Sequence, residues 1–355
     1  MKIKVQASLH IFLQLVLLGT SAFAQQPKKV IFLIGDGMGL TQISGAMSNY
    51  KGINAFERFP VIGLSKTSSA KNYITDSGAG ATAFTIGEKT YNGAIGVNAD
   101  TLSKPTLFEL AKKKNMATGV VVTSSIQHAT PASFYAHVPS RKMYDSISTF
   151  LLNQNCDIAI GGGSKFIYDR NDGRQLSVEL INKGFLLLND TVLKPVQSNK
   201  YIYTLAPDGL KTMEQGRGNY LSKATQQAVE NLSSNKNGYF LMVEGSQIDW
   251  GGHDNDFSYM QAELHDFNEA INVALDIAAK DKDVLVLVTA DHETGGLTLN
   301  ATDNKLSFRP KFSTPDHTGV MVPVFAYGAG AQEFAGVYEN TELFVKLCKL
   351  LNVKP

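Results

Sequence analysis

The chain has 355 residues, 43% hydrophobic and 18% charged, with 31 Gly and 11 Pro. That composition excludes a disordered chain, a collagen and a coiled coil. With 33 Lys+Arg against 32 Asp+Glu and a net charge of +1, there is no excess to draw nucleic acid or a membrane surface.

The first 24 residues read as a secretory signal peptide. Lys2 and Lys4 form the charged start, an apolar run extends through Leu18, and Ala22-Phe23-Ala24 makes a small-residue cleavage site before Gln25. A buried N-terminal helix is the alternative reading. No other stretch reaches about 18 uninterrupted apolar residues, the length of a membrane span. No Cys sits at the cleavage point to carry a lipid. The expected mature product is residues 25–355, one catalytic domain, periplasmic or secreted and not membrane-bound. Cys156 and Cys348 are far apart in sequence. A disulfide and two buried thiols both remain open, but two cysteines cannot make a cysteine-only zinc site.

Along the mature chain, continuous apolar runs of β type recur at Val30–Ile34, Gly119–Thr123, Asp157–Ile160, Tyr239–Val243, Val284–Thr289 and Pro323–Tyr327. Continuous rather than alternating runs belong to strands covered on both faces. Helical patterns lie between them, notably Tyr220–Leu232 and Asp256–Lys280. The alternation predicts an α/β fold, a mainly parallel central sheet sandwiched by helices.

The polar residues just past these strands are unusual. Val30–Ile34 runs into Gly35-Asp36-Gly37, Gly119–Thr123 leads to His128 and Thr130, Tyr239–Val243 ends at Glu244, and Val284–Thr289 ends at Asp291-His292. Ligands of open α/β sheets bind at the carboxyl ends of strands. One such acid is ordinarily a turn or cap residue, but four strands delivering acids or imidazoles are hard to explain by capping. Asp249 and His253, four apart, can share one face of a helical turn. Asp316-His317 pairs the same residue types, with Asp316 read as a turn residue. Mixed His/carboxylate sets suit zinc and oxygen-only sets suit magnesium. His137 and His265 have no acid at comparable spacing and are read as structural.

The segment Thr75-Asp76-Ser77-Gly78-Ala79-Gly80-Ala81-Thr82-Ala83 is a polar turn running into small residues. It predicts Ser77 at a helix start, where free N–H groups attract phosphate. An ordinary serine cap is the plainer reading. No G-x-S-x-G elbow surrounds Ser77, so acyl-hydrolase chemistry is not indicated. A serine beside metal ions needs no histidine base.

Taken together, these segments resemble the active-site signature of the bacterial alkaline phosphatase family. They are Ile34-Gly35-Asp36-Gly37-Met38-Gly39, Thr75–Phe84 with Lys89-Thr90-Tyr91-Asn92-Gly93, Gln127–Arg141, Glu244–His253 and Thr289–Gly296, with a weaker Pro315-Asp316-His317-Thr318. The resemblance implies an alkaline-phosphatase-like fold and hydrolysis of phosphate monoesters through a phosphoserine at Ser77. It implies two zinc ions and one magnesium ion. Asp249, His253 and His317 would hold the first zinc, and Asp36, Asp291 and His292 the second. Asp36, Thr130 and Glu244 would hold magnesium, and Arg141 would clamp two phosphate oxygens. It also implies a homodimer, and no nucleic-acid partner beyond terminal phosphates as substrates.

Two positions depart from one branch of the resembled family. His128 stands where that branch has an aspartate near magnesium, and Trp250 where it has a lysine. The expectation is a magnesium site with one negative charge fewer and easier release of phosphate. The alternative activity is that of a related two-metal phosphodiesterase or nucleotide pyrophosphatase, which Arg141 argues against. A sulfatase motif is lacking, and an inactive metal- or phosphate-binding protein would not need the nucleophile. The Gly35-x-Gly37-x-Gly39 run lacks the rest of a dinucleotide fingerprint. Only 24 residues separate His292 from His317, where larger relatives carry insertions, so small elaborations are expected elsewhere, within Gly161–Arg217.

Overall fold

A computed structural model describes residues 26–355. The signal-peptide expectation, residues 1–24, lies outside the described residues. The strands are β1 (Lys29–Gly35), β2 (Val61–Lys66), β3 (Ala117–Ser125), β4 (Ile158–Gly162), β5 (Leu186–Asn189), β6 (Tyr201–Thr204), β7 (Tyr239–Gly245), β8 (Val284–Thr289), β9 (Glu293–Thr294), β10 (Thr298–Ala301), β11 (Phe308–Lys311), β12 (His317–Thr318), β13 (Val322–Gly328) and β14 (Gly336–Glu339). Ten of them form one sheet in the order β14-β2-β13-β8-β1-β7-β3-β4-β6-β5. All neighbours are parallel except β13, which runs against both β2 and β8.

The central strands are apolar on both faces because both faces are covered. In β1, Val30, Phe32 and Ile34 join one core cluster, and Ile31 and Leu33 join another on the opposite side. The helix Phe257–Lys280 packs on the second face. Asp256 caps it by accepting from the N–H groups of Ser258 and Tyr259. The helix Tyr220–Leu232 has the predicted bounds.

Register is what aligns the strand ends. Ile34 of β1 stands beside Glu244 of β7 and Thr289 of β8, and Val122 of β3 is also beside Glu244. The residues that come after each strand are thereby delivered to one edge at one height.

The strands of the ten-stranded sheet that the sequence pattern does not predict are β2, β5, β6 and β14. β2 alternates buried and exposed residues around Gly63, a half-covered strand with no continuous apolar run. β5 and β6, inside the 161–217 interval, lengthen the sheet at its edge. The His292–His317 interval holds the β10–β11 hairpin and the short β9–β12 bridge. Cys156 and Cys348 are buried free thiols. Among the described residues, no helix is long and apolar enough to cross a membrane.

The loop before Tyr220 is tied to the long helix by buried charge. Arg217 pairs with Glu263 and, at 2.9 Å, with Asp266, all three side chains nearly inaccessible. Burial pushes the Asp266 carboxyl up to about 6 despite the guanidinium. Removing the one cation strands two carboxylates, so Arg217→Met is expected to cost about 3–5 kcal/mol. Asp266→Asn keeps the Arg217–Glu263 pair and is expected to cost about 1 kcal/mol. Urea unfolding at equal metal load checks the ordering of the two variants.

Candidate active site

The turn after β1 brings Asp36 to the centre of the aligned strand ends, fully buried. Gly37 takes a left-handed φ of +73°, and a Cβ there would lie 2.7 Å from Thr294 Oγ1 and 2.8 Å from Asp249 Cα. Only glycine serves at such a position. After β7, the helix Gln247–His253 carries Asp249 and His253 one turn apart, with His253 Nε2 3.3 Å from Asp249 Oδ2. After β8 come Asp291 and His292, the latter with Nε2 3.4 Å from both Asp36 Oδ1 and Asp291 Oδ2. His317 in β12 completes the group, with Nε2 3.5 Å from Asp249 Oδ1.

Ser77 opens the helix Ser77–Ile86, and Asp76 caps it by accepting from Ala79 N–H. The Ser77 hydroxyl is buried, 3.2 Å from His292 Nε2 and 3.4 Å from Asp36 Oδ1. Asp76 also accepts from Gly93 N–H and from Arg141, whose Nη1 lies 3.1 Å from Asp76 Oδ2. Burial pushes the Asp76 carboxyl up, but the Ala79 N–H and Arg141 outweigh it and hold it below the usual range. The same aspartate thus starts the serine helix and aims the guanidinium.

All three imidazoles present Nε2 inward, because each Nδ1 is engaged from behind. His253 Nδ1 donates to the Pro315 carbonyl (2.6 Å) and His317 Nδ1 to the Thr75 carbonyl (2.9 Å). The Thr294 hydroxyl donates to Asp249 Oδ1, so its lone pair faces His292 Nδ1–H at 3.2 Å. Fixing the outer nitrogen is how proteins orient histidine ligands. His253 Nε2 and His317 Nε2 then stand only 3.1 Å apart. Two lone pairs at that distance call for a proton or a cation between them.

The charge balance makes the same demand. Burial, with Asp291, Asp249 and Glu244 nearby, holds the Asp36 carboxyl well above the usual range. Burial pushes Asp291 up to about 6 and Glu244 up to about 7. Burial also acts on Asp249, but hydrogen bonds from His253 and His317 outweigh it and hold it well below its ordinary value. The bond to Asp249 in turn raises His253 to about 9. Asp36 Oδ2, Asp291 Oδ2, Glu244 Oε1 and Thr130 Oγ1 are buried without a hydrogen-bond partner. Orphaned buried oxygens are costly. Three sets of potential ligand atoms each lie within 4.8 Å of one another: Asp249, His253 and His317; Asp36, Asp249 and His292; and Asp36, His128 and Glu244. The residues present therefore fit divalent cations.

His128 is itself a member of the third set, where the sequence led only to a place near it. Its Nε2 is 3.3 Å from Arg141 Nη2, and burial with Arg141 lowers its ring to about 3, so it stays neutral and able to ligate. Trp250 meets His128 edge-on at 6.2 Å, and a Cβ on Gly209 would lie 2.6 Å from its ring. It packs as a wall between the loop at 209 and His128. The expected site residues are all brought to this edge. His137 and His265 are elsewhere, bonded to Gly96 and Glu109 and to Ala46 respectively. Asp316 is an exposed turn residue, as expected. Asp76, Glu293 and Thr294 carry no separate mark in the sequence: Asp76 bonds Arg141, Thr294 bonds Asp249 and His292, and Glu293 bonds Gln42, Gly296, Leu297 and Thr318. Their place inside the signature segments is the only signal.

The alkaline phosphatase family model matches residues 27–311. Alkaline phosphatase 3 of Bacillus subtilis is 34% identical over 92% of this chain and 90% of its own length. The alkaline phosphatase of the Antarctic bacterium TAB5 superposes with a TM-score of 0.90 at 43% identity, covering 94% of this chain and 100% of that one. A histidine-to-aspartate mutant of that enzyme was solved with Mg bound in its M3 site. The cold-active alkaline phosphatase of a Shewanella species gives a TM-score of 0.84 at 31% identity, over 91% of this chain and 99% of that one. With its aligned strand ends, its serine at a helix start and its cation-demanding cluster, the chain belongs to the alkaline phosphatase family and hydrolyses phosphate monoesters.

Proposed function

We propose that hydrolysis runs through a phosphoserine at Ser77, in a site where Asp249, His253 and His317 hold one zinc and Asp36, Asp291 and His292 a second. Asp36, Thr130 and Glu244 hold magnesium, with His128 beside them. The observation that carries this reading is the Ser77 hydroxyl at a helix start, 3.2 Å from an imidazole nitrogen whose other side is pinned. Bound there, divalent ions supply Lewis acidity, which lowers the pKa of a ligated hydroxyl and stabilises charge on phosphoryl oxygens. Ser77 Oγ attacks phosphorus, and the bond to the leaving oxygen breaks. Water then attacks the phosphoserine, releasing inorganic phosphate and restoring the serine. Arg141, held by Asp76, binds two non-bridging oxygens through its planar fork, and the helix N-terminus adds positive potential. A diester has one fewer non-bridging oxygen to offer, so Arg141 favours monoesters over the diesterase alternative.

The exposure gradient supports a direction of entry. The His253 side chain is 40% exposed, whereas His292 and Asp36 are fully inaccessible. Substrate and water arrive from the His253 side and Ser77 waits on the floor. We also infer that residues 25–355 act as one exported catalytic domain and pair as a homodimer. Exposed Tyr73, whose ring lies against Gly319, and exposed Val320 and Met321 supply an apolar face for a second copy.

Prolonged chelation is expected to abolish 4-nitrophenyl phosphate hydrolysis, and zinc with magnesium to restore it. Full activity in protein shown to be metal-free would overturn the assignment. Ser77→Ala is expected to cost several orders of magnitude in rate, on the order of a lost nucleophile. Acid quench and mass spectrometry during wild-type turnover should find phosphate on Ser77 and on no other residue. Arg141→Ala is expected to lose about 2–4 kcal/mol of transition-state stabilisation for monoesters and much less for diesters. Parallel kcat/KM measurements on both ester types check it, and equal losses would make Arg141 structural.

A further inference from the structure

Glu293 is a nearly inaccessible carboxylate that comes directly after His292. Each of its oxygens takes two donors. Oε1 accepts from the Gln42 amide and from Leu297 N–H (3.2 Å), and Oε2 from Gly296 N–H (3.2 Å) and the Thr318 hydroxyl. Those donors come from three separate places: the helix Leu40–Met47, the turn after β9, and β12.

The two-residue strand that holds Glu293 reaches four arms of the site, those of Asp36, Asp249, His292 and His317. In the β9–β12 bridge Glu293 stands opposite Thr318 and Thr294 opposite His317. Thr294 N–H donates to the Gly37 carbonyl (3.1 Å), next to Asp36. The Thr294 hydroxyl meets both Asp249 and His292. Gln42 gives its amide both to Glu293 and to the Thr294 carbonyl (2.9 Å). A Cβ on Gly39 would lie 2.5 Å from Glu293 Cγ, so this glycine makes room for the carboxylate. The glycine run after β1 thus accommodates this short strand: Gly37 leaves space for Thr294, and Gly39 for Glu293.

We propose that Glu293 is a positioning residue that locks the His292 arm to the His317 arm and so sets the spacing of the two zinc positions. The role rests on the zinc assignment proposed for these histidines. The physical basis is that a ligand geometry is only as fixed as its support. A bridge of two residues supplies few backbone bonds. A carboxylate fixed on its own side by Gln42, Gly296 and Leu297 and bonded across the bridge by the Thr318 hydroxyl holds the register that those backbone bonds alone would leave loose. Glutamine at this place cannot substitute, because its NH₂ would face donors.

The test compares wild type, Glu293→Gln, Thr318→Val and the double variant. Zinc affinity is read by competition with a chromophoric chelator, kcat and KM on 4-nitrophenyl phosphate at saturating zinc, and unfolding on metal-free protein. Glu293→Gln is expected to weaken zinc binding about 10–100-fold, the scale for groups behind metal ligands, and to lower kcat more than KM. Thr318→Val should move both in the same direction by less. The double variant should be no worse than Glu293→Gln, because Thr318 acts through Glu293. If Glu293→Gln fails to fold, Thr318→Val, which removes one donor and keeps the packing, decides alone. Wild-type zinc affinity and kcat in the variants, whatever their stability, would overturn the positioning role and leave the metal assignment standing. Wild-type protein that takes up no zinc would overturn both.

Discussion

A cluster of carboxylates buried with too little positive charge governs this molecule. Asp36, Glu244, Asp249 and Asp291 are all inaccessible or nearly so. The nearby fixed cation, Arg141, is already paired with Asp76. Burying ionised carboxylates without partners costs several kcal/mol each. Protons can neutralise the cluster in part, as the raised Asp36, Asp291 and Glu244 carboxyls indicate. Divalent cations bound there would also give the orphaned oxygens of Asp36, Asp291 and Glu244 a partner. The sheet exists in a form that makes the cluster unavoidable: parallel neighbours in matched register place the ends of β1, β7 and β8 at one height.

Around that cluster the chain spends its polar groups on orientation. His253, His317 and His292 are each held from behind by a carbonyl or a hydroxyl. Asp76 ties the serine helix to Arg141, and the Glu293–Thr294 strand ties four arms together. Catalysis by electrostatic preorganisation needs this arrangement, since groups fixed beforehand do not have to reorganise during reaction. The wall formed by Trp250 and the loop at 209 contributes shape where a charged residue would contribute potential. The buried Arg217 triad anchors that loop at its far end.

Much of this is legible in the amino-acid sequence. Continuous apolar runs mark β1, β3, β4, β7, β8 and β13 because strands covered on both faces carry few polar residues to interrupt them. The candidate ligands are legible because Asp, His and Glu close after such runs are chemically conspicuous. The features that escape are of another kind. β2, β5, β6 and β14 are short, half-covered or at the sheet's edge, so tertiary packing and not local pattern makes them strands. Thr294 and Glu293 escape because their contacts are to side chains and backbone brought together only in the folded chain, among them Gly37, Gln42, Asp249 and Thr318. His128 is expected merely near the third cation; its nearness to Asp36 and Glu244 depends on the path of the chain after β3.

Anomalous diffraction at the zinc edge, from crystals of active protein, tests the central claim most directly. The account predicts two strong peaks: one among Asp249, His253 and His317, the other among Asp36, Asp291 and His292, within reach of Ser77. Fully active crystals with no peak in this cluster, or with zinc bound only elsewhere, would contradict it.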